Sequence, residues 1–455
     1  MLFRSFFAKK YGVFFDTSMV RNIVSTNHAE ARELFTPSLA LHFLIYGLPG
    51  ILLLACFKVK ETTLVKGLTF KIAMIILAVV VALASFMTVF KNFSATMRNN
   101  KEIRHLVLPM SYLISTPRVV FDTGVEAQKE LLPLGQDAVK NNKAGAKPTL
   151  LVLVVGETVR AANWGLSGYE RQTTPSLAKQ DVINFPYVVS CGTNTEVSVP
   201  CMFSALGRKQ YDEKKIRSTE SLLHLIARTG VPVTWIDNQS GCKGVCKGLE
   251  NIDAKTLGTP DICPATGCYD ETLLRGLEAT IKKSTGDQVV VLHQLGNHGP
   301  AYYARYPKAF EKFKPVCSSS DLGRCTQQEI FNAYDNAILY TDHILSRAID
   351  LLKTKETRNV VFIYVSDHGE SLGEGGFYLH GLPYSIAPKE QTRAPMMMWA
   401  SEQFIKQQQL SKECMMQRAK EPAHHDNLFH TVLGLMNIST SVYDPAWDLT
   451  AKCKK

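Results

Sequence analysis

Residues 360–381 read VVFIYVSDHGESLGEGGFYLHG. Six consecutive β-branched or aromatic residues, 360–365, run into Ser366, Asp367 and His368. A carboxylate and an imidazole therefore emerge side by side where an apolar run ends, and both are ligand types suited to zinc. Comparable groups follow other apolar runs. Residues 150–155 deliver Glu157, residues 288–292 lead towards His298, and His380 closes the Gly-rich loop after His368. The segment CGTNTEVSVPC, 191–201, carries hydroxyls at Thr193, Thr195 and Ser198 between two cysteines. Threonine is a weak nucleophile at its free pKa, and metal coordination favours its alkoxide. A Glu, an Asp, a His and a threonine oxygen would complete a four-coordinate zinc with the hydroxyl in the reactive position. Spacing alone does not separate the three hydroxyls, and an isolated Thr195 reads first as a turn residue.

These groups need a scaffold that brings several strand ends together. The uncharged runs at 150–155, 288–292 and 360–365 read as strands buried on both faces. A shorter run, 231–236, leads to Asp237, Asn238 and a loop holding Cys242 and Cys246. Helical periodicity separates them at 219–229 and 327–352, the latter with Ile330, Tyr334, Ile338, Thr341, Leu345 and Leu352 on one face. Buried strands alternating with helices predict an α/β domain with a mainly parallel central sheet covered by helices on both faces. The strands starting near Leu150 and Val360 are expected at its centre, with Glu157 and Asp367 at the same edge. Ligands bind beyond the carboxyl ends of strands in such sheets.

The chain has 455 residues, a formal net charge of +10 and eleven cysteines. Residues 39–57 and 72–90 contain no Asp, Glu, Lys or Arg, and each approaches the roughly 20 apolar residues that cross a bilayer. Four lysines against Glu61 alone in residues 58–71 place that turn in the cytoplasm and both chain ends outside it. The expected organisation is a partial membrane domain at 1–92, an amphipathic connector and linker at 93–148, and a catalytic domain at 149–455. The connector reads as an interfacial helix or an ordinary surface helix over 93–120, and 135–148 as a linker. Close cysteine pairs, Cys191/Cys201, Cys242/Cys246, Cys263/Cys268 and Cys317/Cys325, with Cys414 and Cys453 beyond, suit disulfides in an oxidising compartment. A zinc ribbon of Cys242, Cys246, Cys263 and Cys268 is the alternative. No nucleic-acid motif, internal repeat or long low-complexity segment is present, and the positive charge suits an anionic lipid surface.

The motifs VVGETVRAANWGLSGYERQTTPSL, CGTNTEVSVPCMFS, NHGPAYYARYP, NAYDNAILYTD and SDHGESLGEGGFYLHG together resemble the phosphoethanolamine transferases that modify lipid A. That family includes the mobile colistin-resistance enzymes and belongs to the alkaline phosphatase/sulfatase superfamily. The resemblance covers 149–455 and extends into the two spans. It implies zinc ligands at Glu157, Thr195, Asp367 and His368, with Thr195 the nucleophile. It puts His298 and His380 near the donor and acceptor phosphates, where they would hold a second zinc, orient phosphates or shuttle protons. It puts phosphoethanolamine contacts on Asn238, Gln239, Ser240 and Lys243, although several family members have Asn where Gln239 stands. The segment HDNLFH, from His425 to His430, also matches and reads as structural. The implied reaction moves phosphoethanolamine from phosphatidylethanolamine to lipid A, through a covalent threonine intermediate, in a monomer of the bacterial inner membrane with a periplasmic catalytic domain. Its implied result is polymyxin resistance. Transfer to another lipopolysaccharide group, a membrane-anchored phosphodiesterase, and a dead binding module are the competing readings. A sulfatase is disfavoured because threonine cannot become formylglycine. The family usually carries five spans and this chain shows two, with residues 1–36 resembling the end of the third span and the loop after it, which implies a mis-assigned start or a truncated gene.

Overall fold

The computed structural model describes residues 2–13, 15–26, 28–57, 63–99, 111, 115–117, 119, 130–141, 145–264, 267–355 and 357–455. Three helices come first: α1 (Leu2–Tyr11), α2 (Thr17–Ser25) and α3 (His28–Glu33). Asp16 caps α2 by accepting a hydrogen bond from the Met19 amide at 2.8 Å. The next two, α4 (Pro37–Cys56) and α5 (Leu64–Asn99), contain the segments Pro37–Cys56 and Val65–Val89, long and apolar enough to cross a membrane. Thr36 caps α4 and Pro37 opens it, the position where a missing N–H costs nothing. Leu44, Ile51, Leu54, Ile75 and Val80 all project outward and exposed. An apolar surface on all sides of a helix is what hydrocarbon, not a protein core, accommodates. Of the amphipathic stretch 93–120, residues 93–99 continue α5, and most of the rest lies outside the described residues.

Residues 149–455 are built on an eight-stranded sheet. Its strands are β1 (Thr149–Gly156), β2 (Ile183–Val189), β3 (Val233–Asp237), β4 (Glu250–Asp253), β5 (Gln288–His293), β6 (Asn359–Ser366), β7 (Arg393–Ala400) and β8 (Ala423–His424). Their spatial order is β8-β2-β7-β6-β1-β5-β3-β4. β1 and β6 are adjacent, parallel and central, in register from Thr149↔Asn359 to Gly156↔Ser366. Only β7 runs antiparallel to its neighbours, β6 and β2. The stretch read as a linker carries a short strand, Val139–Lys140, paired with Ile438–Ser439.

Alternate residues of each central strand enter opposite cores, as a pleat requires. Leu151, Val361, Ile363 and Val365 pack on one face with α7 (Leu222–Arg228) and the helix carrying Phe429. Leu150, Val152, Phe362 and Tyr364 pack on the other with α8 (Glu271–Ile281) and α9 (Gln327–Lys353). Each fully buried Val, Ile or Phe contributes about 1.5–3 kcal/mol. α9 starts where Thr326 and Glu329 form a capping box. The remaining helices used below are α6 (Thr195–Met202), between β2 and β3, and α10 (Asp426–Leu435), which carries Phe429.

Five disulfides join Cys191 to Cys201, Cys242 to Cys246, Cys263 to Cys268, Cys317 to Cys325 and Cys414 to Cys453. The zinc-ribbon alternative is excluded, because each of its four cysteines is bonded to its near neighbour. Cys56 on α4 is free and exposed.

Candidate active site

Because β1 and β6 end level, the residues just beyond them meet. The Asp367 amide donates to the Gly156 carbonyl at 2.9 Å, extending the pairing by one step. Glu157, Asp367 and His368 are fully buried, and one ligand atom from each lies within 4.8 Å of the others. The Asp367 carboxylate accepts from the Thr158 and His368 amides at 3.0 and 2.8 Å through Oδ1. Its Oδ2 is buried with no hydrogen-bond partner among the described residues. His368 donates from Nδ1 to the Gly369 carbonyl at 2.9 Å, which turns the Nε2 lone pair towards the carboxylates. Burial pushes the His368 imidazole down to about 4, so it stands neutral, as a metal ligand must. Burial, then the neighbouring Asp367, pushes the Glu157 carboxyl well up. Two buried carboxylates, one with an orphaned oxygen, beside a neutral imidazole nitrogen fit a divalent cation of the zinc type.

Thr195 is the first residue of α6, capped by Asn194, whose side chain accepts from the Val197 amide at 3.0 Å. Its Oγ1 lies 3.0 and 3.2 Å from the two Glu157 oxygens and 3.4 Å from His368 Nε2. The other two hydroxyls of the loop are turned elsewhere. Thr193 donates to the Leu382 carbonyl at 2.7 Å, and Ser198 donates to the Asp367 carbonyl. Tertiary contact thus separates Thr195 from hydroxyls that spacing left equivalent. The helix N-terminus adds amide dipoles that favour a phosphate there. The Cys191–Cys201 bond ties the loop to the helix body, and His425 bridges the Cys191 amide and the Ser366 carbonyl at 3.1 and 3.0 Å. His425 is thereby a structural link between the hydroxyl-bearing loop and β6.

His380 packs on His368 with ring centroids 4.4 Å apart, and His298 lies 6.0 Å beyond it. His298 hangs on the metal-ligand strand: the Asn297 amide donates to the Glu157 carbonyl at 3.0 Å. Gly296 makes that approach, with φ +51°, and an added Cβ would sit 2.7 Å from the Glu157 carbonyl oxygen. Burial, then the Arg305 charge, pushes the His298 imidazole well down. Among the described residues, Glu157, Asp367 and His368 are the one group of three metal-type ligands, and His298 and His380 do not form a second. Lys243 is buried at the first turn of α6, 3.8 Å from Glu196, and donates to the Ser240 hydroxyl at 2.7 Å. Asn238 is turned into the scaffold, donating to Asp270 at 2.8 Å and the Cys268 carbonyl at 3.1 Å. Gln239 accepts from Ser240 next to it.

Two residues with roles here escaped the sequence reading. Thr158, with φ 61°, bends the chain so that its hydroxyl donates to Glu157 and its amide to Asp367. A β-branched residue in the left-handed region is strained, and such strain gathers at functional sites. Glu370 is fully buried, with Oε2 3.2 Å from His380 Nδ1. Its signal was its place inside the same motif, two residues after His368. An apolar cleft opens from the histidines towards the N-terminal helices, lined by Phe7, Phe15, Met19 and Ile23 on one side and His298 and His380 on the other.

Comparison with known proteins agrees with this arrangement. Residues 2–123 match the family described as phosphoethanolamine transferase EptA/EptB, and residues 149–438 match the sulfatase family. Phosphoethanolamine transferase EptA of Escherichia coli K12 is 40% identical over 458 residues, covering 99% of this chain and 83% of that protein. Phosphatidylethanolamine transferase Mcr-1 of Escherichia coli is 39% identical over 411 residues, covering 88% of this chain and 76% of that protein. The solved integral membrane protein lipooligosaccharide phosphoethanolamine transferase A (EptA) from Neisseria meningitidis superposes with a TM-score of 0.92 at 39% identity, over 100% of this chain and 85% of that one. A membrane-type helical segment joined to a sulfatase-like domain, matched along nearly its whole length, makes this chain a member of the phosphoethanolamine transferase family.

Proposed function

We propose that this enzyme transfers phosphoethanolamine from phosphatidylethanolamine to a lipid A phosphate, with Thr195 carrying the group between them. The observation that carries the reading is the Thr195 hydroxyl, 3.0 Å from Glu157 and 3.4 Å from His368 at a helix N-terminus. Glu157, Asp367, His368 and the Thr195 oxygen would hold a zinc ion, which would supply the positive charge that favours the threonine alkoxide. In the first half-reaction Thr195 Oγ1 bonds to phosphorus, the bond from phosphorus to the glycerol oxygen breaks, and that oxygen takes a proton and leaves as diacylglycerol. In the second, a lipid A phosphate oxygen bonds to phosphorus, the bond to Oγ1 breaks, and the threonine hydroxyl is restored. Lys243 offsets negative charge at the first turn of α6. Glu370 orients His380, and His380 and His298 are the groups assigned to hold phosphate oxygens and move protons. The apolar cleft, open towards solvent, offers about 140 Å³. That suits the glycerol end of the donor, with its chains remaining in the bilayer.

The four lysines between the spans support a cytoplasmic turn and a periplasmic catalytic domain, where five disulfides persist. Adding an ethanolamine cation to lipid A phosphates weakens their attraction for cationic peptides, which is the basis for expecting polymyxin resistance. Incubation with phosphatidylethanolamine and no acceptor tests the reading: the peptide containing Thr195 should gain the mass of phosphoethanolamine. An adduct on Thr193 or Ser198, or full activity in Thr195→Ala, would refute it.

A further inference from the structure

The helices before the spans touch each of the three loops that build the site. Ser18 of α2 receives a hydrogen bond from Asn194, the cap of the Thr195 helix, at 3.4 Å. Met19 packs where a Cβ on Gly381 would lie, 3.2 Å away, beside His380. The third contact is the only one of the three to involve an ion pair. Arg305 follows the His298 loop, with its side chain 2% exposed. Its Nε donates to the His298 carbonyl at 2.6 Å, and its Nη2 donates to Glu33 of α3 at 2.5 Å. One guanidinium thus joins the backbone of a cleft-lining histidine to the helix that precedes the first span.

We infer that Arg305 is a positioning residue, which sets His298 through its pairing with Glu33, so that the catalytic loop is ordered by the docked membrane-proximal segment. The planar fork of arginine allows this; a lysine ammonium reaches one partner but cannot hold both in a fixed geometry. Breaking the pair leaves a buried charge without its partner, which favours movement of the loop over retention of the bond to the His298 carbonyl. Two further pairs support the docked state: Lys10 of α1 with Asp321 in the Cys317–Cys325 loop, and Arg21 of α2 with Glu213 at 3.3 Å. With these in place, loss of the Glu33–Arg305 link alone releases the His298 loop without releasing the segment.

The inference rests on the transfer reading for its kinetic arm only. Full-length wild type, Glu33→Gln, Arg305→Gln, Arg305→Lys and the double variant Glu33→Gln/Arg305→Gln are compared in vesicles of phosphatidylethanolamine and phosphatidylglycerol. Hydrogen exchange of residues 298–305 should quicken in Glu33→Gln and in Arg305→Gln, and no further in the double variant. Diacylglycerol release should fall in kcat by roughly tenfold to a hundredfold, with KM for the lipid little changed and Arg305→Lys intermediate. Unchanged exchange in Glu33→Gln overturns the inference, as does a rise in lipid KM with kcat intact, which would mark a docking contact only. If wild type itself releases no diacylglycerol, the functional reading falls, and the exchange measurement still decides the link.

Discussion

One wall of the site consists of Glu157, Asp367 and His368, fully buried at the ends of two adjacent central strands. The facing wall consists of His298 and His380, on loops closed off by α1 and α2 from the other end of the chain, with Lys243 on a further loop beside Glu196. The first wall is anchored by strand pairing, so its atoms are set by the most rigid part of the fold. The second is held by loop and side-chain links: Glu370 to His380, Arg305 to His298, the Asn297 amide to Glu157, and the Cys242–Cys246 bond beside Lys243. Under the proposed function, metal binding falls to the rigid wall and lipid handling to the adjustable one.

The largest expected effects fall on the rigid wall. Asp367→Ala and His368→Ala should lose bound zinc and transfer together, read by elemental analysis of the purified protein and mass spectrometry of lipid A. Thr195→Ala should keep most of the zinc and lose transfer by about 10⁴-fold or more, because no oxygen remains to carry the group. Zinc retained in Asp367→Ala would break the assignment of that wall. His380→Ala and His298→Ala should lower transfer by about 10²–10³-fold with zinc content unchanged, and Glu370→Gln should move it the same way by less. A histidine variant that sheds the zinc would merge the two walls into one metal site.

The disulfides sharpen the contrast further. Cys414–Cys453 spans a sequence separation of 39 and Cys242–Cys246 one of 4. Loop closure then predicts losses of about 4 and about 2 kcal/mol on replacement by serine. Only the shorter one should alter transfer, since it holds the Lys243 loop. Equal activity in both variants would separate that loop from substrate handling. The smallest effect on transfer is expected at Asp237, whose carboxylate accepts from the Gly241 amide of the Lys243 loop. Its burial favours the neutral acid, but bonds from His293, the Gly241 amide and the Trp235 indole outweigh this and hold it at about 2. A carboxyl lowered in the folded state stabilises above its unfolded value and loses that contribution as pH falls from about 4 to about 2, an effect of about 2 kcal/mol. Asp237→Asn should flatten acid unfolding over that window, measured by circular dichroism.

The central strands were legible because burial on both faces demands unbroken apolar runs, as in residues 150–155 and 360–365. The antiparallel course of β7 was not, since RAPMMMWA carries no mark of direction. The short strand at Val139–Lys140 was hidden in a stretch of Asn, Lys, Gly and Ala whose pairing partner lies 300 residues away. Cysteine spacing pointed to the short bridges, and Cys414 and Cys453, the two left over towards the C-terminus, form the fifth as expected. Thr158 and Glu370 escaped notice because a backbone angle and a side-chain partner ten residues on are not written in residue type.

The sequence by itself determined the two apolar helices, the alternating α/β domain and the strand-end positions of Glu157, Asp367 and His368. Each follows from local hydrophobic pattern, which acts over one element at a time. Only the tertiary structure decided which hydroxyl of the 191–201 loop meets the carboxylates, and that the N-terminal helices close the cleft around His298. Those choices rest on register between strands and on contacts such as Glu33 to Arg305, 272 residues apart, where geometry rather than local pattern selects the partner.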